Sequence, residues 1–295
     1  MRNDIKHKKV ISLCLIVAAN DEEAVHLDKA LKSASPYVDE IVITITGKNE
    51  AVENVAKSYD ANITYFDWIN DFSAARNYNF AQATGDWILW MDADDIFDGL
   101  GKLRPLIDEA ESTGTSGVFF DYLYDWEGDK VVGQHKKMQL LKNDGHFNWV
   151  GAIHEDPIIT RSARWTQTQD IKRVHMTTHE RGKDAGKRNL AILLSEHKKK
   201  PKEPRHMFYL GREYVRMGDF QASIEMLDKY LALSGWDAER YEARILQGEC
   251  YLKSGMFRDA LTCYHEAILE QEGRADAYIM KGMVFMRMEE WSKAI

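Results

Sequence analysis

The chain has little proline and little cysteine. Five prolines among 295 residues leave room for long regular elements, because proline interrupts helices and central strands. The three cysteines, Cys14, Cys250 and Cys263, have neither the close spacing of a zinc site nor the even count of a disulfide framework. We therefore expect buried free thiols in a reducing compartment, the cytoplasm.

Signals for export and for membrane insertion are also lacking. The apolar stretch Val10–Ala19 follows a short basic segment, has no small-residue cleavage site and ends in the acidic run after Asn20. Such a stretch is typical of a core strand rather than of a signal peptide. No segment approaches the length needed to cross a bilayer, so we expect a soluble, cytoplasmic protein without a membrane span.

A surplus of positive charge is missing as well. Aspartate and glutamate outnumber lysine and arginine by 47 to 39, which gives a formal net charge of −8. Broad binding of nucleic acid or of an anionic membrane requires a basic face, so neither is expected, although a local basic groove stays compatible with this balance. The length allows two globular domains of ordinary size.

The first half of the chain alternates strand-like and helix-like stretches. This alternation predicts βαβ units and a parallel sheet. From Gly117 to Val150, stretches rich in tyrosine, phenylalanine and valine between turn sequences predict hairpins, and hence a mixed sheet. The predicted strands are Val10–Ala18, Glu40–Thr46, Ile63–Phe66 and Trp87–Met91, and the predicted helices are Glu22–Ser33, Ala51–Tyr59 and Phe72–Ala83.

The second half is helical and repetitive. Gly211, Gly248 and Gly282 recur at intervals of 37 and 34 residues, and a period near 34 residues is typical of tetratricopeptide repeats (TPRs). Small residues at these positions would let paired helices approach closely. We predict an α/β domain over residues 1–180, a helical linker over 181–203 and TPR-like repeats over 204–295. The third repeat stops at Ile295, so we expect a longer natural chain or a partner that covers this end.

The strongest chemical signal is the segment Trp87–Asp95. An apolar run, predicted to be buried on both faces of a sheet, is followed at once by Asp92, Asp94 and Asp95. Ligands of open α/β sheets bind outside the carboxyl ends of strands, and clustered carboxylates favour a cation such as Mg²⁺ or Mn²⁺ together with a substrate phosphate. The alternative is that Asp94 and Asp95 only cap a following helix.

Several motifs in a fixed order resemble one known family. They are Ile11–Glu23, Asp71–Asn77, Gly85–Asp95, Lys137–Asp144 and Trp149–Asp156. The set is similar to the family 2 glycosyltransferases of GT-A fold, and in particular to the subgroup that carries TPRs behind the catalytic domain. The resemblance implies a GT-A, Rossmann-like mixed sheet followed by an all-α repeat domain.

The resemblance implies an inverting, metal-dependent glycosyltransferase. It would move a hexose from a nucleoside-diphosphate sugar, by preference UDP-linked, to a hydroxyl or thiol acceptor. The repeats would present a surface to a peptide or protein acceptor, or to a second copy of the chain. Because phosphate loops of the GxGxxG and GxxxxGK[ST] types are absent, a bound diphosphate would rely on Mn²⁺ or Mg²⁺ for neutralisation.

The resemblance also implies roles for acidic and histidine side chains. Glu155, and less preferably Asp156, would be the base that takes the acceptor proton; the alternative is that His154 and Glu155 hold the acceptor loop by hydrogen bonds. Asp94 would hold the metal together with His175. His179 is a weaker metal candidate, and Asp95 would support the metal site or serve as a cap.

The donor would bind beside the first, second and fourth strands. For Arg76 the alternative is an ion pair at the surface, at the start of a helix. The family usually has an aspartate where this chain has Ile45, and an aliphatic side chain cannot accept a hydrogen bond from the nucleoside; Asp21 or Asp67 would have to compensate. The implied donor contacts are Val17, Ala18, Ala19, Asn20, Thr46, Arg76, Asp92 and Ala93.

Aromatic residues recur near the proposed cleft. Sugar rings stack on aromatic faces, but core packing explains any one of these residues equally well. Trp149 is the preferred stacking candidate because it adjoins the acidic pair. The others are Trp68, Tyr122, Tyr124 and Trp126.

Two other functions are compatible with the sequence. A transferase-like scaffold without activity would explain Ile45 and would bind protein partners through its repeats, but the carboxylates Asp92, Asp94 and Glu155 argue for an enzyme. A sugar-nucleotide nucleotidyltransferase shares much of the architecture. Such enzymes usually begin with a glycine-rich loop, whereas residues 18–23 contain no glycine.

Overall fold

The computed structural model describes residues 8–128, 130–160, 162–176 and 181–294. The chain divides into two compact units, Met1–Thr178 and His179–Ile295. The segment 181–203, predicted as a linker, lies in the second unit and contains a long helix. The predicted metal candidate His179 lies outside the described residues.

The first unit is built on a mixed eight-stranded sheet. Its strand order is β3-β2-β1-β4-β7-β6-β10-β5, and a separate pair is formed by β8 and β9. Strands β1 to β4 run parallel, β7 is antiparallel to both of its neighbours, and β5 is antiparallel to β10. The bounds are β1 (Ile11–Ala18), β2 (Glu40–Thr46), β3 (Asn62–Tyr65), β4 (Trp87–Trp90), β5 (Asp95–Asp98), β6 (Thr115–Glu127), β7 (Lys130–Lys142), β8 (Phe147–Val150), β9 (Asp156–Ile159) and β10 (Arg164–His175).

The four helices of the first unit follow strands of the sheet. The first three begin in the loops after β1, β2 and β3, and each has a side-chain cap: Asn20, Asn49 and Asp71 accept hydrogen bonds from backbone N–H groups three residues further on. Such caps satisfy donors that a helix start leaves open. The helices are α1 (Asp21–Ala34), α2 (Glu50–Ser58), α3 (Phe72–Phe80) and α4 (Leu103–Thr113).

Strand β4 is buried on both faces, as predicted. Trp87 and Leu89 belong to one apolar cluster, whereas Ile88 and Trp90 belong to another on the opposite face. This division follows from the two-residue period of a strand. The sheet therefore has a core on each side, and the carboxyl end of β4 opens directly onto the three aspartates.

The prediction of a helix capped by Asp94 and Asp95 is wrong. Asp95 is the first residue of β5, which pairs antiparallel with β10, so that Asp95 lies opposite His175. The alternation of buried and accessible residues along β5 explains the strand, since every second side chain packs on the core. The first helix after this point is α4.

The second unit contains six helices within the described residues. Consecutive helices pack as pairs, α6 with α7 and α8 with α9. A short 3-10 helix at Trp291–Lys293 follows α10. The helices are α5 (Arg181–Lys199), α6 (Pro204–Met217), α7 (Phe220–Leu233), α8 (Asp237–Lys253), α9 (Phe257–Glu270) and α10 (Ala275–Arg287). None of the helices that the structure describes is long and apolar enough to cross a membrane.

Two of the three recurring glycines, Gly211 and Gly248, have the predicted packing role. A Cβ atom on Gly211 would lie 2.6 Å from Cγ of Leu227, and one on Gly248 would lie 2.7 Å from Cζ of Tyr264. Both distances are too short for a real side chain, so each helix pair approaches closely only because glycine stands there. The three cysteines are buried and unpaired, in agreement with the sequence-based expectation.

Candidate active site

Charged side chains gather where β4 ends. Asp92, Asp94 and Asp95 follow this strand directly. Arg76 reaches the same place from α3, and Arg173 and His175 reach it from the end of β10. The site is therefore assembled from segments that are far apart in sequence and is held in place by the sheet.

Asp95 is the buried centre of this group. Its side chain is fully buried, and its Oδ2 accepts a hydrogen bond from Nε of Arg173 at 2.6 Å. The other oxygen, Oδ1, lies 2.9 Å from Nδ1 of His175, and the backbone N–H of Asp92 donates to Oδ2 at 3.2 Å. Asp95 thus orients an arginine, a histidine and the backbone of the Asp-x-Asp segment.

Asp92 is held between two arginines. Nη2 of Arg76 donates to Oδ1 at 3.1 Å, and Nη2 of Arg173 donates to Oδ2. Burial alone would raise the pKa of Asp92, but the charges of Arg173 and Arg76, with a smaller effect of Lys137, hold that pKa well below its usual range. Asp92 is therefore a carboxylate at neutral pH, with both oxygens already engaged by guanidinium groups.

Arg76 is buried rather than at the surface. Its side chain is 2% exposed, and Nε and Nη2 donate to Oε1 of Glu155 at 3.1 and 2.6 Å. The guanidinium lies over the rings of Trp90 and Trp149, 4.2 and 4.9 Å from their centroids. The alternative predicted an ion pair at the surface. Arg76 does form an ion pair, with Glu155, but the pair is buried, so the predicted surface location is wrong.

Asp94 and His175 are half-buried, and Asp92 beside them is also partly accessible, with 34% of its side chain exposed. The side chains of Asp94 and His175 are 24% and 25% exposed, and Nδ1 of His175 lies 3.9 Å from Oδ1 of Asp94. Burial, followed by the charges of Asp95 and Asp92, raises the pKa of Asp94 from 3.8 to about 6. For His175, burial lowers the pKa, but the hydrogen bond to Asp95 and the charge of Asp94 outweigh it and raise the pKa.

These residues fit a divalent metal ion. One ligand atom each of Asp94, Asp95 and His175 lie within 4.8 Å of one another. Carboxylate oxygen and imidazole nitrogen are ligands that Mn²⁺ accepts. The contact between Asp95 and Nδ1 of His175 matches a common pattern, in which a carboxylate fixes the ring so that the second nitrogen faces the metal. Asp94 and His175 would hold the ion, with Asp95 behind them.

The predicted bases follow β8. Glu155 is 12% exposed on its side chain and bonded to Arg76, whereas Asp156 is exposed and begins β9. His154 has a φ of 53°, an unusual backbone conformation for a residue with a side chain. The hydrogen bonds from Arg76 agree with the alternative for Glu155, that it holds the loop. The role of Glu155 or Asp156 as base stays a prediction.

The segment expected to border the nucleoside lies at the ends of β1 and β2. Val17 is buried, the side chain of Asn20 accepts from the backbone N–H of Glu23, and Oγ1 of Thr46 donates to the carbonyl of Val17 at 3.3 Å. A donor would therefore meet mainly backbone atoms here, together with Ala18 and Ala19. Ala93 is also buried. The donor contacts of these residues stay predictions.

Ile45 is part of the core and leaves no polar group at this position. Its side chain is completely buried in the apolar cluster that includes Val17. Of the two aspartates that would have to compensate, Asp21 accepts a hydrogen bond from Nδ2 of Asn49 at 2.9 Å, and Asp67 is exposed.

Trp149 does not offer its ring to a ligand. It is 2% exposed and packs edge-to-face against Trp90 and Phe80, at centroid distances of 4.9 and 5.7 Å. Asn77 binds its backbone N–H and carbonyl. The prediction that Trp149 stacks on a sugar is therefore wrong, and core packing explains this residue. Among the other aromatic candidates, Tyr124 and Trp126 are exposed.

Two basic residues of the site were missed from the sequence. Arg173 lies two residues before His175 on β10, so both side chains point to the same face of the sheet; this spacing was the available signal. Lys137 lies on β7, over the rings of Trp90 and Tyr122 at 5.0 and 5.2 Å. Its position depends on the pairing of β7 with β4, which the sequence does not reveal.

Comparison with known proteins gives a family match and several partial relatives. The family model described as "Glycosyl transferase family 2" matches residues 14–186. The SPbeta prophage-derived glycosyltransferase SunS of Bacillus subtilis is 25% identical over 224 residues, which cover 73% of this chain and 52% of SunS. The glycosyltransferase SunS of Bacillus phage SPbeta matches with the same figures.

The other similarities are shorter. A TPR repeat-containing protein of Synechococcus elongatus is 40% identical over 104 residues, or 35% of this chain and 25% of that protein. The crystal structure of MamA is 25% identical, with a TM-score of 0.35, and covers 39% of this chain and 66% of MamA. The chain spans about half the length, or less, of the curated relatives that it matches.

Proposed function

The chain belongs to glycosyl transferase family 2, and on that premise we propose that it transfers a hexose from a nucleoside-diphosphate sugar to a hydroxyl or thiol, with inversion. The observation that carries this proposal is the accessible pair Asp94 and His175 beside an Asp92 that two arginines hold ionised. The similarity to the glycosyltransferase SunS supports the same reaction class.

Glu155 is the proposed base. In an inverting transfer, the acceptor oxygen or sulfur attacks the anomeric carbon, the bond from that carbon to the diphosphate breaks, and the acceptor proton passes to a carboxylate. Both hydrogen bonds from Arg76 use Oε1 of Glu155. Oε2 is then the atom that accepts the proton, while Arg76 fixes the orientation of the carboxylate.

The acidic group at the end of β4 would receive the diphosphate. Asp94 and His175 would hold Mn²⁺ or Mg²⁺, and a bound ion of this kind supplies positive charge to the leaving diphosphate. Asp95 keeps the ring of His175 in one orientation through the 2.9 Å contact with Nδ1. Arg76 and Arg173 keep Asp92 in place, so that the donor enters a site whose charges are already ordered.

The repeats of the second unit are the proposed acceptor-binding or self-association surface. Stacked helical repeats provide extended surfaces for peptide and protein ligands. The identity of the acceptor and the predicted cytoplasmic location stay predictions.

The experiment is a donor hydrolysis and binding screen. The purified chain is incubated with UDP-, GDP- and ADP-linked hexoses, with Mn²⁺, Mg²⁺ or EDTA, and release of nucleoside diphosphate is measured. We expect release from at least one donor that depends on the metal and is lost in Asp94→Asn. Binding of a donor without hydrolysis, and without any transfer in the presence of acceptors, would contradict the proposal.

A second candidate is a transferase-like scaffold without activity. It is favoured by Ile45, which puts a buried aliphatic side chain where the family usually has an aspartate for the nucleoside. Such a scaffold would bind protein partners through its repeats and would not release nucleoside diphosphate from any donor. The same screen therefore separates the two candidates.

A further inference from the structure

The charged groups of the site are paired with one exception. Arg76 binds Glu155 and Asp92, and Arg173 binds Asp92 and Asp95. Within the described residues, the ammonium group of Lys137 forms neither a hydrogen bond nor an ion pair. It lies over the aromatic faces of Trp90 and Tyr122. Its charge acts on Asp92 and Glu155 through space, without a direct partner among the described residues.

The strand pairing brings Lys137 next to the acidic segment. Strand β7 runs antiparallel to β4, with Leu140 opposite Leu89. Beyond this pair the chain continues to Lys137, whose Nζ lies 5.0 Å from the ring centroid of Trp90, the last residue of β4. The hydrogen bond from Nε1 of Trp90 to the carbonyl of Met138, at 2.7 Å, shows that the two segments stay adjacent up to this point. Lys137 thus lies at the carboxyl end of β4, where the donor is proposed to bind.

A lysine in such a position needs a partner for its charge. Lys137 is half-buried, charged side chains seldom leave water without a partner, and cation–π contacts compensate for only about 0.5–2 kcal/mol of the lost hydration. Burial, together with the charges of Arg173 and Arg76, lowers the pKa of Lys137 despite the opposing effects of Asp92 and Glu155. A ligand with negative charge would relieve this arrangement, because it would give the ammonium a partner at hydrogen-bond distance.

We propose that Lys137 binds a phosphate oxygen of the donor diphosphate. The inference rests on the proposed function, and it adds a residue for the leaving group that is independent of the metal ligands. In the free protein the ammonium rests on Trp90 and Tyr122. When the donor enters, the ammonium would turn to the diphosphate, beside any divalent ion that Asp94 and His175 would hold. Lysine suits this task as a compact, flexible point charge.

The test compares nucleoside diphosphates with their nucleosides. Binding of UDP, GDP and ADP, and of uridine, guanosine and adenosine, is measured by titration calorimetry with Mn²⁺ and again with EDTA. We expect Lys137→Gln to weaken binding of the preferred diphosphate by about tenfold or more in both buffers, as for the loss of a charged hydrogen bond. Binding of the matching nucleoside should not change. Lys137→Arg should restore part of the affinity.

Lys136→Gln is the matched control. Lys136 is the neighbouring residue on β7, and its side chain pairs with Asp121 at 2.6 Å, so its removal should leave diphosphate binding unchanged. Equal affinity of the wild type and Lys137→Gln for the diphosphate, with both proteins folded by circular dichroism, would overturn the inference about Lys137. If the wild type binds none of the three diphosphates, the proposed function itself fails.

Discussion

At the scale of single residues, carboxylates and guanidinium groups alternate in the site, and its three basic side chains pack on one aromatic ring. Arg76, Arg173 and Lys137 all lie against Trp90, at 4.2, 4.7 and 5.0 Å from its centroid. Removing one member of a buried ion pair leaves an uncompensated charge, which costs several kcal/mol. Variants of this group will therefore change both folding and function.

Glu155→Gln tests the base. The amide keeps an oxygen that accepts from Arg76 but cannot take a proton, so we expect the transfer rate constant to fall by about 10²–10⁴-fold. Affinity for the nucleoside diphosphate should stay within a factor of about three, because the base does not touch the leaving group. Single-turnover kinetics and calorimetric binding give the two values.

Asp156→Asn is the control for this experiment. Asp156 is exposed at the start of β9, and its substitution should leave the rate nearly unchanged. A large loss in Asp156→Asn combined with a preserved rate in Glu155→Gln would assign the base to Asp156 instead.

Asp94→Asn tests how much an ionised carboxylate at this position lowers the stability of the fold. Burial and the neighbouring carboxylates raise the pKa of Asp94 from 3.8 to about 6. Between these pH values the folded chain keeps a proton that the unfolded chain releases, so ionisation of Asp94 lowers the free energy of unfolding as the pH rises through this window. In EDTA, the free energy of unfolding of Asp94→Asn, relative to that of the wild type, should increase by up to about 3 kcal/mol as the pH is raised from about 4 to about 7.

Urea unfolding at both pH values measures this difference. The variant should also lose Mn²⁺ binding, which requires the ionised carboxylate. Asp67→Asn controls for the loss of an exposed negative charge. A stability difference between wild type and Asp94→Asn that is the same at both pH values would contradict the assignment.

The positions of predicted site residues could be derived from the sequence where a side chain follows a buried strand, while their roles stay predictions. Asp92, Asp94 and His175 meet at one place because Asp92 and Asp94 follow β4 directly and His175 ends the strand that pairs with β5. The prediction that Trp149 stacks on a sugar failed because its neighbours in sequence do not indicate whether its ring is buried. The ring is enclosed by Phe80 and Trp90, which come from α3 and β4. Arg173 was missed because a charged residue on a strand is ordinarily expected to face solvent.

At the scale of elements, close helix pairs depend on the missing side chain of glycine. Gly248→Ala places a methyl group against the ring of Tyr264, and we expect it to destabilise the second unit by about 1–3 kcal/mol through overpacking. Gly273→Ala is the matched control, because a Cβ atom there meets nothing within 4 Å. Thermal unfolding followed by circular dichroism at 222 nm gives the comparison; equal melting temperatures for the two variants would contradict the packing role.

The elements themselves were predictable to different degrees. Strands β1, β2 and β4 were found because apolar residues crowd both faces, and α6 to α9 because their repeat is regular. The alternative for Asp94 and Asp95 placed a helix where β5 lies, since both are common cap residues and only the pairing with β10 identifies a strand. The insertion of β7 between β4 and β6 depends on pairing between distant segments, which composition and period do not contain.

At the scale of the whole molecule, the two compact units predict two unfolding transitions. Scanning calorimetry should show two transitions, because each unit has its own apolar core. Mn²⁺ with the preferred nucleoside diphosphate should raise the temperature of only one transition, since a ligand stabilises the unit that binds it. Gly248→Ala should lower only the other. A single transition that shifts in both experiments would contradict independent units.

The partners of the buried ion pairs are far apart in sequence, which has a consequence for synthesis on the ribosome. Asp95 and Asp92 emerge 78 and 81 residues before Arg173, the arginine that neutralises both. Asp92 already has Arg76 as a partner, but until β10 has left the exit tunnel the buried Asp95 lacks the guanidinium of Arg173, and burying it alone is costly. We therefore expect the first unit to complete its fold only after Arg173 has left the ribosome.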